Sequence, residues 1–122
     1  NDIPDLVPAL AVIGAAARGV TELVNVPQAR LKETDRIRSM ATELAKMGAR
    51  INEYDDGLRI EQSELQGGAL HGYSDHRTIM ALSIAGLIAR GSTIIDTAEG
   101  VSKTYPEFVR DIVSLGANMK ME

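Results

Sequence analysis

The chain has 122 residues, 44% of them hydrophobic and 25% charged, which is the composition of one folded globular domain and not of a disordered segment. Seventeen acidic residues against thirteen basic ones leave a net charge of -4, which argues against general nucleic-acid binding, because that relies on a broad basic face. The absence of cysteine excludes disulfides, thiolate metal sites and cysteine nucleophiles, and no apolar run is long enough to cross a bilayer. No membrane partner is expected, and the expected compartment is the cytoplasm.

The first predicted element is an apolar helix from Asp5 to Arg18 that ends at Gly19, followed by a strand from Thr21 to Val26. A second helix spans Asp35 to Met47. Its residues Ile37, Met40, Ala41, Leu44 and Met47 fall on one face, so Arg38, Glu43 and Lys46 are expected in solvent. A hairpin follows, turning at Asp55-Asp56-Gly57. After the Gln66-Gly67-Gly68 loop comes a helix from Asp75 to Arg90, whose stretch from Ile79 to Ile88 is apolar on nearly all sides and is expected to be enclosed. The series closes with a strand (Ser92 to Asp96), a helix (Tyr105 to Leu115) opened by the capping box Thr104-Tyr105-Pro106-Glu107, and a last strand (Asn118 to Met121).

This order contains a repeat. Ala17-Arg18-Gly19-Val20-Thr21 matches Ala89-Arg90-Gly91-Ser92-Thr93, Gly14 matches Gly86, and Met47-Gly48-Ala49 matches Leu115-Gly116-Ala117. The period of about 70 residues is longer than that of ordinary solenoids. The expected fold is α/β (α+β), built from βαβαββ-type units of about 3–62 and 69–122 in a single partial domain. The first residue, Asn1, and the helix that starts beside it read as a piece of a longer chain.

The charged clusters precede helices, where unpaired N–H groups and the positive end of the dipole favour anions. Lys32 and Arg36 flank one such start, His76 and Arg77 a second, and Lys103 lies at a third. Each has an ordinary alternative. Arg77 could form a structural ion pair with Asp75 or another acid, His76 could be a capping or core histidine, and Asp5 a first-turn acid or N-cap. Glu33 and Asp35 could simply complement a helix dipole. His71 and Tyr73 flank a glycine with no metal-ligand spacing, and no zinc, calcium, P-loop or dinucleotide pattern occurs.

Four segments taken together are more specific. Ile3-Pro4-Asp5, Leu31-Lys32-Glu33-Thr34-Asp35-Arg36-Ile37, Gly72-Tyr73-Ser74-Asp75-His76-Arg77 and Ser102-Lys103-Thr104-Tyr105-Pro106 resemble, in order, signature segments of the 5-enolpyruvylshikimate-3-phosphate synthases. The resemblance implies a carboxyl-terminal domain fragment of a two-domain transferase with its site in the interdomain cleft. It implies transfer of the enolpyruvyl group of phosphoenolpyruvate to the 5-hydroxyl of shikimate 3-phosphate, with loss of phosphate through a tetrahedral intermediate. No metal or organic cofactor is implied, and the full-length enzyme is expected to be a monomer.

By the same resemblance Asp5 accepts the hydroxyl proton and binds shikimate 3-phosphate, Glu33 handles the proton at the methylene carbon, and Lys32 contacts the shikimate ligand and shares the proton work. Arg36, Arg77 and Lys103 are implied phosphoenolpyruvate ligands, Gln28 a shikimate 3-phosphate contact, and His76 a supporting residue. The missing amino-terminal domain is the expected partner, so the 122 residues alone are expected to be inactive. Two other readings stay open: a related transferase acting on UDP-N-acetylglucosamine, and a non-catalytic α/β module that binds RNA or is purely structural.

Overall fold

The computed structural model describes residues 3–32 and 34–96. Helix α1 (Ile3–Ala16) opens the chain and leads into strand β1 (Val20–Leu23). A short 3₁₀ helix (Pro27–Leu31) precedes helix α2 (Arg36–Lys46). Strands β2 (Arg50–Tyr54) and β3 (Gly57–Glu61) form the hairpin, and the short strand β4 (Ala69–Leu70), helix α3 (His76–Ile88) and strand β5 (Ile94–Ile95) complete the described part. The expected Tyr105 to Leu115 helix, its capping box and the Asn118 to Met121 strand lie outside the described residues.

The main sheet is antiparallel in the order β1-β3-β2, with Val20 opposite Glu61 and Arg50 opposite the same residue on the other side. Asp55-Asp56 make the two-residue turn, which leaves Tyr54 paired with Gly57. Leu58 and Ile60 of the central strand are fully buried and meet Ala11 and Ala15 of α1 and Ile37, Met40 and Leu44 of α2 in one core. A sheet whose helices cover one face explains the alternation along β3. The second sheet pairs β4 with β5 in parallel, Ala69 against Ile94. Helices packed on antiparallel and parallel sheets are the α/β class expected from the sequence.

Strand β1 is shorter than predicted. At Asn25 the backbone turns left-handed (φ 61), and the Val26 N–H leaves the ladder to donate to the Asp56 carbonyl at 2.9 Å. Pro27, which has no N–H, then starts the 3₁₀ helix. Strand β4 was missed because it is two residues long beside a glycine pair, and β5 is shorter than the predicted Ser92 to Asp96.

Two side-chain expectations need correction. Within this chain helix α3 is covered on one side only: Ile79, Ala81, Leu82 and Ala85 are buried, whereas Ile84, Leu87 and Ile88 are exposed, so the expected enclosure is not complete among these residues. Glu43, expected in solvent, is completely buried.

The paired glycines share their geometry. Gly19 and Gly91 both have φ +84, each in the turn three residues beyond the last residue of its helix, Ala16 or Ile88. A Cβ on Gly14 would lie 3.1 Å from the Thr21 side chain, and one on Gly86 would lie 3.2 Å from that of Thr93. In both places a helix lies close against the following segment, so an added Cβ would press on the threonine side chain.

Candidate active site around Arg36

Asp35 caps α2, its carboxylate accepting from the Arg38 N–H at 3.0 Å, and this places Arg36 as the first residue of the helix. The Arg36 guanidinium turns inward and is only 2% exposed. Its Nε and Nη2 donate to the two carboxylate oxygens of Asp75 at 2.9 and 2.8 Å, a bidentate fork, and its Nη1 donates to Asp5 Oδ1 at 2.8 Å. Asp75 immediately precedes α3 and also accepts from the Thr78 hydroxyl at 2.7 Å. Asp5 lies in the first turn of α1, and Lys32 Nζ stands 3.5 Å from the oxygen that Arg36 contacts.

The amino-terminal ends of all three α-helices in the described region therefore meet at one guanidinium. The convergence expected from the sequence was of the starts bearing Lys32 and Arg36, His76 and Arg77, and Lys103; the last lies outside the described residues, and Asp5, expected in the site from the resemblance, brings in α1. The alternative reading of Arg77 as an ion-pair partner of Asp75 is not found among the described residues: Arg36 holds both carboxylate oxygens, Arg77 contributes only its backbone N–H to Asp75, and its side chain is exposed at the second position of α3.

The two acids differ in electrostatics. Burial alone would raise the Asp75 carboxyl, yet the Arg36 fork and the Thr78 hydroxyl overturn that penalty and hold it below the ordinary value of 3.8. Asp5 is held low first by its Arg36 hydrogen bond and further by the Lys32 charge, against a smaller desolvation effect. Both are ionised at neutral pH. Asp5, with its side chain 32% exposed, is the acid that solvent or a ligand can reach, whereas Asp75 is sealed.

Arg30 fixes the approach to this cluster. Its Nε and Nη2 donate to the carbonyls of Asp55 and Tyr54 at 2.8 and 2.7 Å, and its Nη1 pairs with Asp35 at 2.7 Å. Glu53 adds a contact at 2.8 Å. The 3₁₀ helix and the cap of α2 are thus both tied to the hairpin turn, on either side of Lys32.

Among the residues predicted from sequence, Asp5, Lys32 and Arg36 are brought into direct contact, and His76, half-buried, and Arg77, exposed, follow Asp75 on α3. Gln28 is exposed on the 3₁₀ helix. Glu33 and Lys103 lie outside the described residues. Asp75 as the partner of Arg36 was missed, as was buried Glu43; the available signal was spacing, since Glu43 follows Arg36 by seven residues and shares its buried helix face. Among the described residues no group of three or more His, Cys, Asp or Glu side chains could hold a metal ion.

The family described as EPSP synthase (3-phosphoshikimate 1-carboxyvinyltransferase) matches residues 1–112. The 3-phosphoshikimate 1-carboxyvinyltransferase of Ruminiclostridium cellulolyticum is 56% identical over 121 residues, which cover 99% of this chain and 29% of that protein. The protein of the same name from Methanocaldococcus jannaschii is 52% identical over 123 residues, 100% of this chain and 29% of that one. A solved EPSP synthase from Acinetobacter baumannii superposes with a TM-score of 0.84 at 35% identity, over 88% of this chain and 26% of that chain. The chain spans less than a third of the length of these relatives.

Proposed function

The chain belongs to the EPSP synthase family, and we propose that it supplies one half of the active site of an enzyme that transfers the enolpyruvyl group of phosphoenolpyruvate to the 5-hydroxyl of shikimate 3-phosphate. The two copies, about 3–62 and 69–122, are read as repeat units of one domain, and the rest of the site comes from the remainder of the enzyme. The observation that carries this reading is the Arg36 node, where Asp5, Asp75 and Lys32 gather at three helix starts.

In this mechanism the Asp5 carboxylate accepts the proton of the attacking hydroxyl. Its ionisation at neutral pH makes it available, and Lys32, 3.5 Å away, can share the proton through a small movement. Attack on the enol carbon, with protonation of the methylene carbon by Glu33, gives the tetrahedral intermediate. Loss of phosphate and return of the methyl proton to Glu33 regenerate the double bond. Arg77 and Lys103 bind the carboxylate and phosphate of phosphoenolpyruvate, a guanidinium fork suiting both groups, and Arg36, whose own fork is held by Asp75, joins them by turning its Nη1 from Asp5 to the ligand. Gln28 and Lys32 contact shikimate 3-phosphate, and His76 supports the phosphate position. The converging helix amino termini add a favourable field for the same anions.

The test is phosphate release by the full-length protein given phosphoenolpyruvate with either shikimate 3-phosphate or UDP-N-acetylglucosamine. Turnover with the first acceptor alone is expected. Turnover with only the sugar nucleotide, or with neither, would overturn the proposal.

A further inference from the structure

Helix α2 carries a second buried charge that the mechanism above does not use. Glu43, two turns beyond Arg36 on the same face, is 0% exposed, and its carboxylate meets the loop that leads into α3. Glu43 Oε2 accepts from the Tyr73 hydroxyl at 2.6 Å, and Oε1 accepts from the His71 N–H at 2.8 Å and from Lys46 Nζ at 2.9 Å. From the other side Asp96, just past β5, accepts from the Gly72 N–H at 2.8 Å and contacts His71 Nδ1 at 2.5 Å. Three consecutive loop residues are each tied down by a carboxylate.

The backbone shows why such ties matter. Tyr73 and Ser74 both lie in the left-handed region, with φ of 60 and 52. Neither is glycine, and consecutive residues of this kind persist only where their surroundings over-determine them. The next residues are Asp75, His76 and Arg77. Helix α2 thus grips this loop at two points, Tyr73 through Glu43 and Asp75 through Arg36. Seven residues of helix separate the grips by about 10 Å, a rigid spacing.

We propose that Glu43 and Tyr73 are positioning residues, a latch that fixes the loop from His71 to Asp75 and so sets where Arg77 stands to receive phosphoenolpyruvate. The inference rests on the function proposed above for Arg77. The latch acts through the backbone entering α3 and touches no reacting atom. It predicts that binding of phosphoenolpyruvate, and not of shikimate 3-phosphate, depends on one phenolic hydroxyl behind the site.

The test uses Tyr73→Phe in the full-length protein, a change that keeps the ring and deletes the hydroxyl. KM for phosphoenolpyruvate should rise about tenfold, the order expected from losing one hydrogen bond to a charged group, while KM for shikimate 3-phosphate stays within about twofold. In an Arg77→Ala background the same change should have no further effect, because the residue through which it acts is gone. Hydrogen exchange needs no turnover: the amides of residues 71–77 should exchange faster in Tyr73→Phe, with those of residues 40–46 unchanged. Glu43→Gln is a second variant with the same expected KM pattern, since its single amide oxygen cannot satisfy all three donors. Unchanged KM, a full further effect in the Arg77→Ala background, or unaltered exchange in the loop would each overturn the latch. A wild-type protein that does not turn over these substrates would instead overturn the function on which it rests, and the exchange experiment would still decide whether the latch exists.

Discussion

Replacing Asp75 by alanine should destabilise the fold severely, and the amount can be worked from its surroundings. Its side chain is fully buried and that of Arg36 is 2% exposed, so the substitution leaves a guanidinium in the interior without its fork. It also removes the acceptor of the Thr78 hydroxyl. Breaking one side of a buried pair costs about 3–5 kcal/mol. Asp5 still accepts from Arg36 Nη1, which places the expected loss near the lower end, about 3 kcal/mol. With urea slopes of about 1–3 kcal/mol per molar, the unfolding midpoint should fall by about 1–3 M. A loss below about 1 kcal/mol would refute the reading of Asp75 as the counter-charge of Arg36. The double variant Arg36→Met with Asp75→Leu refines the test. Apolar replacement of a buried pair is often neutral, so stability should return to within about 1 kcal/mol of wild type. Activity of the full-length protein should not return, because the proposed phosphoenolpyruvate ligand is missing. Recovery of both would show that the pair serves folding alone.

Asp75 and Glu43 are held below their ordinary values of 3.8 and 4.5, in each case because hydrogen bonds and nearby cations outweigh burial. The unfolded chain therefore binds more protons in acid, so their stabilisation is fully present above about pH 4.5 and is lost as pH falls below it. Urea midpoints that drop between pH 7 and pH 3 in wild type, and less steeply in Asp75→Asn, would bear this out; parallel curves would not. The 122-residue chain alone should release no phosphate from phosphoenolpyruvate plus shikimate 3-phosphate, since an open half-site cannot exclude water. Measured turnover by the chain alone would contradict that. The exposed Leu6 and Ile13 of α1 and Ile84, Leu87 and Ile88 of α3 should make it self-associate, read as a rising mass with concentration in light scattering. A constant monomer mass, or no reduction on changing Ile84 and Ile88 to glutamate, would count against the apolar faces.

The parts of the fold that were legible in the sequence are those written in local chemistry. Asp55-Asp56-Gly57 announced the hairpin, Asp35 the start of α2, and the matched glycines at 14 and 86 and at 19 and 91 the recurring helix ends. The partners of charged residues were not legible, because they lie far along the chain. Arg36 meets acids 31 residues before it and 39 after it, and Glu43 meets a loop 28 to 30 residues away. Helical periodicity sorts residues by polarity, so it sent Glu43 to the surface; the Tyr73 hydroxyl, the His71 N–H and the Lys46 ammonium together offset its burial. Helix α3 failed in the opposite sense, since a helix apolar on every side carries no stripe to show which face is covered. The candidate site was legible as a set of segments, through family resemblance, and the node that joins them came from three-dimensional contact.

Asp5 and the cations beside it are proposed to act on phosphoenolpyruvate and shikimate 3-phosphate. The most direct test is phosphate release by the full-length protein, wild type against Asp5→Asn and Arg77→Ala. Wild type should release phosphate only when both substrates are present, with each variant at least about a hundredfold slower in kcat/KM, the order expected when a catalytic acid–base group or a charged ligand contact is lost. Near-normal turnover in both variants would contradict the account.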